Sequence, residues 1–221
     1  MARKKAQKKT FIAIVLDESG SMQSMREAAV ELFNGQAQQI RDNAAAGGDT
    51  KVSFFKFGCT AAPHTTEVFH AKPADELPTL ESKDYVPQNG TPMRDGIGRA
   101  ISKLEAEDDG HKNTAFLVIV VTDGQENQSS EWSAERMRNK VSALQATGRW
   151  TFAVYGANIS LVDLQNTGGF TMDSLPTGNF AAYQPTERGL MVASAALGTA
   201  TMTYMTSVRG VNSTTTTMFA K

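Results

Sequence analysis

The sequence predicts an α/β protein built on a doubly wound sheet, and two observations lead to this prediction. Residues 11–16 and 115–122 are uninterrupted apolar, β-branched runs, which are typical of central parallel strands covered on both faces. Between such runs lie segments whose apolar residues recur at helical spacing. Strands separated by helices favour a doubly wound sheet, and no internal repeat or linker divides the chain.

The first half of the chain supplies three predicted strands. After the strand at 11–16, a helix is predicted over 24–46, because its apolar residues recur every three or four positions. Gly47 and Gly48 follow it and would end it. The run at 52–57 predicts a second strand, and the weaker alternation of 64–70 predicts an edge strand. A loop with at most a short helical turn is expected next, in a segment rich in proline.

The second half repeats the alternation. A helix over 92–105 begins at Pro92, a residue favoured near the first helical turn. The remaining predicted elements are strand 115–122, helix 131–147, strand 150–155, helix 160–166, a weak strand at 179–183 and a long helix over 185–208.

Composition excludes several classes of protein. The chain is 40% hydrophobic and 20% charged, which excludes general disorder. Its one cysteine, Cys59, excludes an intrachain disulfide and a multi-cysteine zinc site. No apolar run approaches the roughly 20 residues that span a bilayer.

The amino-terminal arm is strongly basic, although the whole chain has a net charge of −1. Residues 1–9 contain Arg3, Lys4, Lys5, Lys8 and Lys9. Contact with nucleic acid is one interpretation of this arm, and a solvated tail is the favoured one. The following apolar run has six residues and stops at Asp17, which is shorter than the core of a secretory signal. A cytoplasmic location is therefore expected.

Candidate ligands for a metal lie where the predicted strands end. Asp17, Ser19 and Ser21 follow the first strand, Asp123 follows the strand at 115–122, and Thr91 precedes a helix. In a doubly wound sheet, the carboxyl ends of the strands form the ligand-binding edge. All five donors are hard oxygens, which favours Mg²⁺, with Mn²⁺ or Ca²⁺ as alternatives, over zinc or copper.

The pattern Asp17-x-Ser19-x-Ser21, with Thr91 and Asp123, resembles the metal-ion-dependent adhesion site of the von Willebrand factor A family. The resemblance covers residues 10–208 as one domain and leaves out the basic arm and a Thr-rich tail at 209–221. It implies about six strands, mostly parallel, with one antiparallel edge. It also implies that Ser19 and Ser21 bind the ion directly, whereas Thr91, Asp17 and Asp123 bind it directly or through water.

The function expected from this resemblance is a non-enzymatic, divalent-cation-dependent protein-binding module, acting as a subunit of a larger homo- or hetero-oligomeric assembly. An open metal position would accept an Asp or Glu carboxylate of a protein partner. Glu18 and Glu126 flank the ligands and are candidate partner contacts, although exposure to solvent is the favoured expectation for both.

Two alternatives stay open. In the first, the fold is a building block of an assembly, for example a phage virion, and the metal only stabilises its loops. The second is a metal-dependent phosphatase-like hydrolase, which the sequence disfavours because Ser19 stands where that chemistry needs an acidic proton donor. A nucleotide-binding loop is also disfavoured, since Gly96 and Gly98 lie inside a helical pattern rather than after a strand.

Overall fold

A six-stranded sheet forms the centre of the protein. The computed structural model describes residues 9–44, 49–58, 65–171, 175 and 177–207. The strands are β1 (Lys9–Asp17), β2 (Asp49–Phe57), β3 (Thr65–Pro73), β4 (Thr114–Thr122), β5 (Trp150–Gly156) and β6 (Phe180–Ala182). Their order is β3-β2-β1-β4-β5-β6, and only the β2–β3 pair is antiparallel. This arrangement confirms the predicted doubly wound, mostly parallel sheet.

Helices cover both faces of this sheet. They are α1 (Arg26–Ala44), α2 (Met93–Ala106), α3 (Ala134–Ala146), α4 (Leu161–Asn166) and α5 (Glu187–Ser207). In β1, Ile12 and Ile14 pack with α1 and α5, whereas Ala13 and Val15 pack with α2 and α3. Because successive side chains of a strand point to opposite faces, both sets must be apolar. The continuous apolar run in the sequence follows from this double burial.

The amino-terminal half differs from expectation mainly at element ends. A 3₁₀ turn at Gly20–Met25 precedes α1, so the α-helix begins at Arg26 rather than at residue 24. The edge strand β3 is present and continues to Pro73, into the predicted loop. Two short 3₁₀ turns, Ala74–Glu76 and Ser82–Asp84, lie in that loop. Cys59, His64 and the Gly47-Gly48 pair lie outside the described residues.

The last three helices and the last strand are shorter than predicted, whereas β5 continues one residue further, to Gly156. Helix α3 begins at Ala134 because Ser133 caps it, its side chain accepting a hydrogen bond from the backbone N–H of Arg136 at 3.1 Å. The weak last strand has three residues, and α5 ends at Ser207. Within the described ranges, no helix combines the length and apolarity needed to cross a bilayer.

Candidate metal site

The candidate site lies where the order of the strands reverses. The chain adds β2 and β3 on one side of β1, and β4, β5 and β6 on the other. The carboxyl ends of β1 and β4 therefore flank the crevice in which doubly wound sheets bind ligands. Asp17 is the last residue of β1, and Asp123 directly follows β4.

Asp17 is fully buried and held by two hydrogen bonds. One carboxylate oxygen accepts the backbone N–H of Ser19 at 2.7 Å, and the other accepts the hydroxyl of Thr122 at 2.5 Å. The first bond turns the chain so that Ser19 and Ser21 follow on the same loop. The second ties the end of β1 to the end of β4.

The two serines and the second aspartate form one chain of polar contacts. Ser19 Oγ lies 3.1 Å from Ser21 Oγ, and Ser21 Oγ donates to Asp123 Oδ1 at 2.6 Å. A Cβ placed on Gly124 would lie 3.3 Å from Thr91 Oγ1 and 3.9 Å from Ser21 Oγ. The structure therefore brings together all five side chains that the sequence predicts as ligands.

Thr91 is positioned by two hydrogen bonds with Asn127, in the loop after β4. Its N–H donates to Asn127 Oδ1 at 2.7 Å, and its carbonyl accepts the N–H of Asn127 at 3.2 Å. Gly20 N–H donates to the carbonyl of Asn89 at 3.0 Å, which joins the serine loop to the segment before α2. The loops after β1 and β4 are thus fastened to the one that contains Thr91.

Burial raises the cost of ionising both carboxylates. Burial raises the pKa of Asp17 to about 7 against the hydrogen bonds from Thr122 and Ser19, and the nearby charge of Asp123 adds to the rise. Burial also raises the pKa of Asp123. A divalent cation beside these groups would favour their charged forms, since opposite charges lower a carboxyl pKa.

Two oxygen separations in the site are ordinary hydrogen-bond distances that also suit neighbouring ligands of a small divalent cation. Mg²⁺ at about 2.0–2.1 Å from six ligands puts neighbouring oxygens roughly 2.9 Å apart. The Ser19–Ser21 and Ser21–Asp123 oxygen separations, 3.1 Å and 2.6 Å, lie on either side of that value. Among the described residues, no group of three or more His, Cys, Asp or Glu is placed to hold a metal. The candidate set instead combines two carboxylates with three hydroxyls.

Glu18 and Glu126 correct the sequence prediction, because neither is exposed. The Glu18 side chain is 4% exposed and accepts hydrogen bonds from Lys56 Nζ and the N–H of Val86, both at 2.7 Å. The Glu126 side chain is 1% exposed and accepts from the N–H of Arg94 at 2.8 Å, at the first turn of α2. Both carboxylates are therefore buried and hydrogen-bonded within the protein, contrary to the expected exposure to solvent.

Other supporting residues were not anticipated from the sequence. Asp95, in the first turn of α2, is buried and accepts the backbone N–H groups of Ser130 and Trp132 at 2.9 Å and 2.8 Å, which shapes the loop after β4. The buried hydroxyl of Tyr85 donates to the carbonyl of Asp17, and that of Tyr183 donates to the carbonyl of Thr122 at 3.0 Å. No spacing rule points to these residues, because their partners are distant in sequence.

Fold and site together define a doubly wound α/β domain with an oxygen-lined crevice at its switch point. The family model of the von Willebrand factor type A domain matches residues 12–169, from within β1 to beyond α4. The chain therefore belongs to the von Willebrand factor type A domain family. No curated protein matches the sequence.

Solved structures share this fold at low sequence identity. The pilus adhesin SpaC from Lactobacillus rhamnosus GG, in an open conformation, is 14% identical with a TM-score of 0.65, over 91% of this chain and 31% of that chain. The minor pilin PilB from Streptococcus sanguinis is 12% identical with a TM-score of 0.60, over 95% and 65%. Manganese-loaded TRAP protein from Plasmodium vivax is 15% identical with a TM-score of 0.50, over 84% and 72%. The chain thus spans about a third of the length of the pilus adhesin.

Proposed function

We propose that this chain is a non-enzymatic, divalent-cation-dependent protein-binding module that acts as a subunit of a larger assembly. The observation behind the proposal is the continuous chain of contacts Ser19–Ser21–Asp123, with Asp17 and Thr91 beside it at the switch point. Ser19, Ser21, Thr91, Asp17 and Asp123 would hold the ion. Mg²⁺, when bound, supplies a Lewis-acidic position that a carboxylate of a partner can occupy.

The chemistry of the donors supports this function. Three hydroxyl ligands are neutral, so the bound ion would keep an affinity for a further anionic oxygen. A carboxylate from an Asp or Glu of a protein partner is the simplest group of that kind. Family membership and the likeness to a pilus adhesin, a minor pilin and TRAP protein support a protein-interaction module. One of those structures is manganese-loaded, which supports the binding of a divalent ion by a protein of this fold.

The surroundings of Asp17 disfavour hydrolysis through a carboxylate nucleophile. Each of its oxygens already accepts a hydrogen bond, from the Ser19 N–H and from the Thr122 hydroxyl. Ser19 stands at the position where a phosphatase of the aspartate-nucleophile type has its acid, and its hydroxyl is too weak an acid to protonate a leaving group at neutral pH. The neighbouring acids Glu18 and Glu126 accept hydrogen bonds from Lys56 and from the backbone of α2.

Calorimetric titration of the purified chain with Mg²⁺ and Mn²⁺ tests the metal half of the proposal. Binding should be lost in Asp17→Ala and weakened in Ser21→Ala, and it should be unchanged in Ser24→Ala, an exposed serine on the same turn. Capture of protein partners in Mg²⁺ should disappear in EDTA and in Asp17→Ala. Capture that persists in both conditions would contradict the proposal. The cytoplasmic location and the domain limits expected from the sequence stay predictions.

A further inference from the structure

A groove with a volume of about 480 Å³ lies between β6 and α5, away from the candidate ligands. Ala181 and Ala182 line it from β6, and Val192, Ala193 and Ala196 line it from α5. Among the described strands β6 is the last of the sheet, so none of them borders its outer side. Pockets of about 300–1,000 Å³ hold drug-sized ligands, and the groove therefore has room for large side chains.

The outer side of α5 beside this groove is apolar. After Arg188, which lines the groove, α5 contains no charged residue as far as its end. Val192 is 66% exposed and Met191 is 53% exposed. The exposed positions of α1 and α3, by contrast, include charged residues such as Glu31 and Arg136. A surface helix usually has a polar outer side, and exposed apolar surface marks a contact with a partner. The groove and the outer side of α5 therefore suit an uncharged, apolar occupant.

One segment outside the described residues has a sequence that matches the groove. Residues 210–220 contain no charge, and four threonines at 214–217 precede Met218 and Phe219. β-Branched residues favour an extended backbone, and two large apolar side chains can fill the groove. The other undescribed segments, which are residues 1–8, 45–48, 59–64, 172–174 and 176, contain no two adjacent large apolar residues.

The topology of the sheet disfavours the chain's own segment as the occupant. The connections from β4 to β5 and from β5 to β6 lead away from β1 through α3 and α4, on one face of the sheet. Helix α5 lies on the other face with α1, which leads from β1 in the opposite direction, to β2. A strand added beyond β6 through α5 would therefore reverse the handedness of these crossovers. Because crossovers between parallel strands are right-handed in about 98% of cases, this addition is disfavoured within one chain. A segment from a second copy is free of this restriction.

We infer that the groove between β6 and α5 receives residues 213–220 of a second copy of this chain, with Met218 and Phe219 as the anchoring side chains. An extended segment can pair through its main chain with an edge strand, while its side chains enter adjacent pockets. Because β6 has only three residues, most of the affinity would come from the apolar anchors. This inference goes beyond the metal-dependent function, since the contact joins copies of the chain whether or not an ion is bound.

Sedimentation velocity of the full chain in EDTA tests the inference, because chelation removes any metal-dependent contact. The wild type should associate as its concentration rises from roughly 2 µM to 200 µM. Ala196→Glu puts a carboxylate in the groove, and Phe219→Asp removes an anchor, so each should weaken self-association at least about tenfold. An equimolar mixture of the two variants should associate again, because the intact segment of one variant fits the intact groove of the other.

Ala143→Glu, at an exposed position of α3, is the matched control and should associate as the wild type does. A wild type that stays monomeric at every concentration would overturn the inference. Association that survives Ala196→Glu, or a mixture of the two variants that stays monomeric, would overturn it as well. Calorimetric titration with Mg²⁺ keeps the two proposals apart: a wild type that binds no Mg²⁺ yet associates in EDTA would contradict the metal-dependent function and support this contact.

Discussion

The ammonium group of Lys56 lies 2.7 Å from a carboxylate oxygen of Glu18, and both residues are buried. The same carboxylate oxygen accepts the N–H of Val86, and Lys56 also donates to the carbonyl of Asp84. The carbonyl of Glu18 accepts the N–H of Gln88 at 2.8 Å. This ion pair thus joins β2, the loop after β1 and the segment that leads to Thr91.

Lys56→Met should lower the free energy of unfolding by about 3–5 kcal/mol, because it leaves Glu18 as a buried, unpaired charge. Adding Glu18→Gln should recover part of the loss, since the amide oxygen can still accept the N–H of Val86. Urea denaturation measures both variants. Lys83→Met is the control, because Lys83 pairs with Glu81 in solvent, and its stability should match the wild type. A Lys56→Met variant as stable as this control would show that the buried pair contributes nothing.

Asp123→Asn should have opposite effects with and without a divalent cation. In EDTA it should raise the free energy of unfolding by about 0.5–2 kcal/mol, because it removes one of two adjacent buried carboxylates while Asn can still accept from Ser21. Mg²⁺ at about 100 times its Kd should stabilise the wild type by about 2.7 kcal/mol and the variant much less.

Urea denaturation in EDTA and in Mg²⁺ measures both effects. The diagnostic result is an Asp123→Asn variant that is more stable than the wild type in EDTA and less stable than it in Mg²⁺. Asp42→Asn, an exposed substitution on α1, should respond to Mg²⁺ as the wild type does. Equal stabilisation of Asp123→Asn and wild type by Mg²⁺ would exclude Asp123 from the ligands.

Acid should weaken the bidentate ion pair between Asp108 and Arg149. The two oxygen–nitrogen distances are 2.5 Å and 2.6 Å, and the hydrogen bond from Arg149 holds the pKa of Asp108 below its usual value. A lowered carboxyl pKa gives stability that is present above the unfolded-state pKa, about 3.9, and is lost as the pH falls through the folded-state value.

Asp108→Asn should therefore lower the free energy of unfolding at pH 7, by about 1–3 kcal/mol, and the difference from wild type should shrink below about pH 4. Urea denaturation of both proteins across this range gives the comparison. A difference that stays constant into acid would mean that packing, not the ion pair, explains the loss.

The sheet was predictable because the double burial of its central strands leaves a continuous apolar run. The start of α1 could not be predicted exactly. Met22 and Met25 are buried three positions apart, and this spacing suits a 3₁₀ turn as well as an α-helix. The five candidate ligands could be found from sequence because each stands at the end of an element. The burial of Glu18 and Glu126 could not be predicted from the sequence, because their partners Lys56 and Arg94 lie in distant segments of the chain. Lys56 lies between Phe55 and Phe57 in β2, and a lysine within such an apolar run indicates a buried acidic partner, here Glu18.

Two helical glycines should respond oppositely to alanine. A Cβ on Gly98 of α2 would lie 2.1 Å from the ring of Trp132, whereas a Cβ on Gly35 of α1 would meet Ser194 Oγ at an ordinary 3.7 Å. Gly98→Ala should therefore lower the free energy of unfolding by about 1–3 kcal/mol through overpacking, and Gly35→Ala should raise it by about 0.5–1 kcal/mol through helix propensity. Thermal denaturation in EDTA separates the two effects from metal binding. Stabilisation by both substitutions would mean that Trp132 moves freely, and that the close packing of the loop after β4 on α2 does not constrain the site.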